Sequence, residues 1–361
     1  MEDTSNDPLF LDDMNILPPD LNEIKDAMDF CANSLISYFI SNINGEWVIE
    51  KNGEYIGSFT LGKDIGMGSY SSVKDISGGM MKGYVAKVFG QGFKEEDGTD
   101  VYETEQLSMH VAEAGACKLF GKRKVSVSVH PEIPLARMEL PSGEHAPVLF
   151  MTKYADVLTK YIMSYKDYPE RYKNTIERQN IIIERLYYMY AELLKAGFVC
   201  RDRRTINILV RVDQNGMLTD IRFGDMDLGM CCTLYGSTAA KALTHYYLKA
   251  IDNGTPEKHF YPGNTFTSDP GTIQIATDVQ AIFDNKVTSC KLDIEAMDIM
   301  LSLQVAFTLI AMGLYNKRRQ SYILQYFDDI LSRRESDMDS TIRGILEFDF
   351  LRLKMDVLND V

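Results

Sequence analysis

Segment 197–229 carries three polar side chains at spacings that restrict both the fold and the chemistry of the chain. Asp202 and Asn207 stand five residues apart, just before an apolar run at residues 208–210 that predicts a short strand. A turn signal follows, and a second alternating run predicts another strand that ends two residues before Asp225. The segment therefore predicts a β-hairpin with Asp202 and Asn207 at its entrance and Asp225 at its exit.

These three side chains match the needs of phosphoryl transfer from ATP. That reaction uses a carboxylate to accept the proton of the acceptor hydroxyl, and an amide with a second carboxylate to hold magnesium on the phosphates. Asp202 suits the first role, and Asn207 and Asp225 suit the second. The alternative is two surface acids and a turn asparagine on an ordinary hairpin, since the spacing alone is short and degenerate.

A β-rich region precedes this hairpin. From Trp47 onward, short alternating runs are separated by Asn-Gly and Gly-Gly dipeptides, which predicts antiparallel hairpins. Residues 65–73, I-G-M-G-S-Y-S-S-V, place Gly66 and Gly68 between two of these strands, where backbone N–H groups can approach phosphate oxygens closely. An ordinary hairpin corner is the alternative interpretation of these glycines.

Lys87 lies in the middle of another predicted strand, V-A-K-V at residues 85–88. A lysine inside an apolar run requires an anionic partner if it is buried. The alternative is an edge strand whose lysine faces solvent. Residues 103–120 then show apolar positions at helical spacing, which predicts a helix directly after this strand.

The first 45 residues predict an extension that packs on the rest of the chain through one helix. They are acidic, contain a Pro-Pro break, and include an amphipathic stretch at residues 21–43 with apolar side chains at helical spacing. A plain capping helix without a regulatory role is the favoured interpretation of this stretch.

Together these features resemble the protein-kinase superfamily. The sequence C-R-D-R-R-T-I-N at residues 200–207 is similar to the catalytic loop H-R-D-x-x-x-x-N, and D-M-D at residues 225–227 is similar to D-F-G. The glycine turn, Lys87 and a later acid, Asp293, occur in the order of the family, so the resemblance covers roughly residues 55–314. A likeness to the divergent kinase-like proteins of fungi and large DNA viruses is also present.

The resemblance implies an α+β, bilobal protein-kinase-like fold. It divides the chain into an N-terminal extension at residues 1–45, a β-rich N-lobe at 46–151 and a mainly helical, reduced C-lobe at 152–361. The hinge between the lobes is expected at residues 152–155, where a strand pattern changes to a helical one without a Gly/Pro linker.

The resemblance also implies roles for individual residues. Lys87 is expected to contact the α- and β-phosphates of ATP and to be held by a helix glutamate, for which we favour Glu103 over Glu105. Asp202, Lys87 and Arg204 are the expected catalytic residues, with Arg204 near the γ-phosphate. The residues expected to bind the nucleotide are Gly66, Gly68, Ser69, Val73, Ala86, Lys87, Glu103, Met151, Thr152 and Tyr154. The expected ligands of Mg²⁺ or Mn²⁺ are Asn207 and Asp225, with Asp227 as an alternative to Asp225.

The chain departs from the family pattern at positions that brace the scaffold. Ser71 replaces the third glycine, Cys200 the histidine and Met226 the phenylalanine, while the residues expected to touch ATP, metal or hydroxyl are all present. This favours an active enzyme over a pseudokinase scaffold. Small-molecule phosphotransferases typically carry a glycine before the catalytic aspartate, and Arg201 stands there instead, which favours a protein kinase. Arg204 stands two residues after Asp202, where Ser/Thr kinases place a lysine, so the resemblance implies serine and threonine as acceptors over tyrosine.

Composition bounds the remaining possibilities. The chain has 361 residues and a net charge of -14, which argues against a nucleic-acid-binding face and favours ATP and a protein substrate as partners. Six cysteines without zinc spacing favour a reducing compartment. The acidic start and the lack of a long apolar run predict a soluble intracellular protein, cytoplasmic or nuclear, without a membrane span.

Overall fold

A computed structural model gives the architecture of the parts of the chain that carry most of the predicted site. It describes residues 21–67, 71–90, 104–167, 175–195, 198–200, 205–214, 216, 218–226 and 231–233, with a few helical positions between 321 and 332. These residues form an α+β structure dominated by strands in its first half.

In chain order, the elements with defined bounds within the described residues are four α-helices, twelve strands and one short 3₁₀ turn. The helices are α1 (Leu21–Ser37), α2 (Thr104–Lys122), α3 (Leu158–Asp167) and α4 (Thr175–Lys195). The first seven strands are β1 (Tyr38–Ile43), β2 (Glu46–Lys51), β3 (Glu54–Met67), β4 (Ser71–Gly79), β5 (Tyr84–Phe89), β6 (Leu135–Glu139) and β7 (His145–Thr152). The last five are β8 (Asp156–Val157), β9 (Phe198–Cys200), β10 (Ile208–Val212), β11 (Leu218–Phe223) and β12 (Cys231–Thr233).

Strands β1 to β7 close into a barrel in the order β1-β2-β3-β4-β5-β7-β6. Neighbouring strands are antiparallel except β1 and β6, whose parallel pairing closes the ring. Alternate side chains fill the interior, as the two-residue period of a strand requires. The rings of Phe59 and Phe150 meet edge to face at 5.6 Å in this interior.

The sequence predicted a β-rich lobe but not its closure. The helix expected to reach Ile43 ends at Ser37, and residues assigned to the N-terminal extension form β1 instead. Tyr38 and Ile40 point into the barrel, so the apolar pattern of this stretch has the period of a strand. Asn44 and Gly45 both have positive φ, which gives the tight turn that starts the barrel.

A second sheet contains the predicted hairpin. Strands β10 and β11 pair in antiparallel register with Ile208 opposite Phe223, and β8 extends the sheet next to β10. The turn between β10 and β11 includes a hydrogen bond from the Gly216 N–H to the Asp213 carbonyl. The hairpin predicted from the sequence is therefore confirmed.

Residues 125–130 join the barrel to this second sheet. The Val127 N–H donates to the Phe223 carbonyl and the Phe223 N–H donates to the Val125 carbonyl, each at 2.9 Å. Three residues later the His130 N–H donates to the Phe150 carbonyl of β7. One short segment thus fixes the end of β11 relative to the barrel wall.

The expected core helix with Asp293 lies outside the described residues, so the predicted helical C-lobe is represented here by α3, α4 and their strands. No helix in the described part of the chain is both long and apolar enough to cross a membrane. The α+β class is established, whereas the bilobal kinase arrangement stays a prediction.

Candidate functional site

The Lys87 side chain of β5 lies between helix α2 and the segment that follows β11. Its Nζ is 2.5 Å from Glu113 Oε1 and 3.2 Å from Asp225 Oδ1. Lys87 is only 8% exposed. The alternative of an edge lysine facing solvent is therefore excluded, and three distant parts of the chain meet at one ammonium group.

Electrostatics keep this ammonium charged. Burial disfavours the charged form, but the carboxylates of Asp225 and Glu113 raise the pKa of Lys87 above its ordinary value. The two carboxylates differ in access, since the side chain of Glu113 is 8% exposed and that of Asp225 is 38% exposed. Glu113 is thus the internal partner, and Asp225 is the partner that a ligand can reach.

Among the described residues, the helix glutamate that contacts Lys87 is Glu113, and the sequence favoured Glu103 over Glu105 for this role. Glu105 lies at the start of α2, and eight residues of helix separate it from Glu113 by about 12 Å along the axis. Glu103 lies outside the described residues. The sequence did contain a signal for the correct residue, because Glu113 is a lone acid in the small and apolar run V-A-E-A-G-A-C.

One outer face of the barrel leads from the glycine turn to Lys87. Gly66 of β3 lies opposite Val73 of β4, and Val73 lies opposite Lys87 of β5. A Cβ atom on Gly66 would lie 3.5 Å from the Cβ of Val73, so both residues face the same side. Gly66 and Val73 are half-buried, which leaves this face accessible next to the lysine.

Ala86 does not share this face. It is fully buried in the barrel interior, whereas its neighbour Lys87 points outward. Successive strand residues point to opposite sides, so the residue that shares a face with Lys87 is Val85, two positions earlier. Val85 pairs with Met151 of β7, which is also buried outside the barrel interior. Ala86 is therefore not on the face where a nucleotide contact was expected, and Val85 is the neighbour of Lys87 on that face.

The predicted hinge residues are engaged within the protein. Thr152 Oγ1 donates to the Ser128 carbonyl at 3.0 Å. The Tyr154 hydroxyl donates to Asp220 Oδ2 at 2.8 Å, and burial together with the Asp220 charge raises the pKa of Tyr154 to about 12. The Tyr154 side chain therefore holds the β10–β11 hairpin, and its expected contact with a nucleotide has no support from this geometry.

Asn207 and Asp225 lie at the same end of the hairpin. Asn207 ends a 3₁₀ turn at Thr205–Asn207, and its carbonyl accepts a hydrogen bond of 2.8 Å from the N–H of Gly224. The hairpin thus holds Asn207 beside the residue that precedes Asp225. Carboxylate and amide oxygens are ligands that Mg²⁺ prefers, with water and phosphate completing its octahedral shell.

These two residues fit a shared metal only together with a ligand. Among the described residues no group of three His, Cys, Asp or Glu side chains could hold a metal ion by itself. Mg²⁺ typically uses one or two protein ligands plus substrate phosphates, so an ion held by Asn207 and Asp225 would also need phosphate oxygens.

The strand before Asp202 pairs with a strand that follows Asp225. Cys200 of β9 is opposite Cys231 of β12, and Phe198 is opposite Thr233. The chain therefore enters the segment that contains Asp202 and Asp225 from β9, and it returns after this segment to pair with β9 through β12. Asp202 and Arg204, like Gly68, Ser69 and Asp227, lie outside the described residues, so their predicted roles stay predictions.

Two further residues contact the elements that carry the site and were not identified from the sequence: His110 lies beside Phe89, and Arg222 joins β11 to the end of α2. The His110 ring stacks on Phe89 at 3.7 Å, and burial together with the Lys87 charge lowers the pKa of His110 to about 3. Arg222 of β11 donates through Nη1 to the carbonyl of Gly121 near the end of α2, at 3.3 Å. Only tertiary contacts reveal these roles, because neither residue has a distinctive sequence spacing.

No protein-family model matches the sequence, and a search of curated proteins finds no similar chain.

Proposed function

We propose that the chain is an ATP-dependent protein kinase that transfers the γ-phosphoryl group to protein hydroxyls, with serine and threonine favoured over tyrosine. The observation that carries this proposal is the buried Lys87 ammonium held between Glu113 of α2 and Asp225 after β11. A phosphate-binding lysine needs a fixed position and a retained charge, and this arrangement supplies both.

The roles of the residues follow from their access and charge. Glu113 is buried and fixes the lysine, so Lys87 can present its remaining donors to phosphate oxygens from the outer face of the barrel. Gly66 lies on the same face, and in the proposed mechanism the glycine turn that begins there offers backbone N–H groups to the phosphates. Asn207 and Asp225 would hold Mg²⁺ or Mn²⁺, which supplies positive charge to the phosphates during transfer.

Asp202 is the proposed general base. It follows β9 by two residues, and in the proposed mechanism it orients the substrate hydroxyl and accepts its proton while the γ-phosphoryl group moves in line. Arg204 would then lie near the γ-phosphate, where its fixed positive charge stabilises the charge of the transferred group.

The test measures ATP affinity and phosphate incorporation side by side in the full chain and in Asp202→Asn. The variant keeps the shape of the side chain but loses its basicity, so ATP affinity should be unchanged while incorporation falls by roughly 10²- to 10⁴-fold. Phosphate on an added metabolite instead of protein would indicate a small-molecule phosphotransferase. ATP binding without any turnover in the wild type would indicate a pseudokinase, and wild-type incorporation in the variant would refute the role of Asp202.

A further inference from the structure

Helix α1 packs on α2 on the side away from Lys87, and the two helices interlock at one point. A Cβ atom on Gly115 of α2 would lie 2.4 Å from Met28 Sδ and 2.6 Å from Met28 Cε. Met28 is only 1% exposed, so its side chain has little space into which it could move. The backbone of α2 at Gly115 is therefore as close to α1 as Met28 permits.

This contact lies opposite the ion pair. Gly115 is two residues after Glu113, and two residues turn an α-helix through about 200°. Because the Glu113 side chain points at Lys87, the missing side chain of Gly115 points almost the other way, toward α1. Helix α2 is thus held between Met28 on one side and the Lys87 ammonium on the other.

Helix α1 is itself fastened to the barrel. Ser34 Oγ donates to the carbonyl of Leu135 on β6 at 2.6 Å in a buried contact. Farther toward its start, the Phe30 ring lies 3.8 Å from the Nζ of Lys118 on α2. A helix tied to the barrel wall at one end and to α2 along its length can transmit a fixed position to α2.

We propose that Met28 and Gly115 are positioning residues through which α1 acts as a strut that keeps the Glu113 carboxylate within hydrogen-bond distance of Lys87. The inference rests on the proposed function, because the lysine that Glu113 holds is the one assigned to the phosphates of ATP. A displacement of about 1 Å breaks such a hydrogen bond, and errors of that size cost about 100-fold in rate when they misplace a catalytic group.

The variant that tests the strut is Gly115→Ala in the full chain. Alanine favours a helix more than glycine does, so the variant gains helix propensity. Because Met28 has little space to yield, the added methyl group shifts α2 relative to α1 and changes the position of Glu113 at Lys87. Adding Met28→Leu relieves the clash, because leucine has a shorter side chain of similar volume. Ile49→Val is the control, since it changes packing inside the barrel without touching either helix.

The first readout is the rate of reductive methylation of Lys87 without nucleotide, followed by mass spectrometry. Gly115→Ala should raise this rate about tenfold, the worth of one charge-assisted hydrogen bond. Met28→Leu should restore the wild-type rate in the double variant, and Ile49→Val should leave it unchanged. A wild-type rate in Gly115→Ala, or no restoration in the double variant, overturns the strut.

The second readout is the affinity for MgATP, which separates the strut from the proposed function. Gly115→Ala should bind about tenfold more weakly, and it should have no further effect when Glu113→Gln is already present, because α1 acts through Glu113. If Gly115→Ala weakens MgATP binding by the same factor in the Glu113→Gln background, the strut is overturned.

If wild type fails to bind MgATP while the methylation rates respond as stated, the proposed function fails and the strut stands. If MgATP binds but neither readout responds, the strut alone fails.

Discussion

Lys87 is the residue on which both the architecture and the proposed chemistry depend. Its buried ammonium contacts both Glu113 and Asp225. It therefore stabilises the packing of the barrel against α2 and against the segment that follows the second sheet. The sequence indicated a lysine within an apolar strand, but it did not show that the side chain would be a structural partner in addition to the phosphate ligand that we propose. That dual role changes what a substitution should do.

Lys87→Met should lower the free energy of unfolding by about 3–5 kcal/mol, because it leaves two carboxylates together without their cation. The matched control is Lys74→Met on the neighbouring strand, whose ion pair with Asp64 lies near the surface and should contribute less than about 1 kcal/mol. Urea unfolding of the three proteins at pH 7 measures both changes. Equal costs for the two variants would contradict the structural role of Lys87.

The sign of the pH dependence follows from the raised pKa of Lys87. The stabilisation is fully present below the unfolded-state pKa of 10.5 and is lost as pH rises through the higher folded-state value. The difference between wild type and Lys87→Met should therefore persist through the neutral range and shrink only in strong alkali.

His110 gives the opposite dependence in acid. Its folded-state pKa is lowered from 6.5 to about 3, so the unfolded chain binds a proton that the folded chain does not. Stability should fall below pH 6.5 by up to about 1.4 kcal/mol per pH unit from this residue. His110→Phe keeps the ring against Phe89 and should flatten that slope. A wild-type slope in His110→Phe would contradict this assignment.

At the scale of elements, tight turns at Asn-Gly dipeptides set where the first barrel strands begin and end. The Asn52-Gly53 turn was recognised from the sequence, and both residues have positive φ as that turn requires. The same dipeptide occurs at Asn44-Gly45, directly after the stretch at residues 21–43 whose apolar spacing predicts a helix. Reading that turn as a hairpin would have identified β1 as a strand.

The adjacent glycines at the end of β4 allow a direct test of turn geometry. Gly79 has a φ of +83°, and a Cβ atom there would clash with the Ser58 carbonyl, whereas a Cβ atom on Gly78 would meet nothing within 4 Å. Gly79→Ala should therefore lower the free energy of unfolding by at least about 2 kcal/mol, and Gly78→Ala should change it by less than about 1 kcal/mol. Thermal unfolding compares the two. A Gly79→Ala variant as stable as Gly78→Ala would contradict this backbone geometry.

At the scale of the whole molecule, two β-structures meet at one site through residues 125–130. The sequence identified the local pieces well, including the β10–β11 hairpin, the strand of Lys87 and the helix that follows it. It did not identify barrel closure, because the parallel pairing of β1 with β6 joins segments about 100 residues apart and leaves no local pattern. The sequence did not identify Glu113 for a similar reason, since only packing shows which turn of α2 faces the lysine.

The most direct test of the account is calorimetric titration of the full chain with ATP, with Mg²⁺ and with a chelator. ATP should bind tightly only with the metal, and Asp225→Asn should weaken binding by about tenfold or more, because it removes a negative ligand of the ion. The control Asp64→Asn, at a surface ion pair, should bind as wild type does. Absence of metal-dependent ATP binding in the wild type, or unchanged binding in Asp225→Asn, would contradict the proposed site.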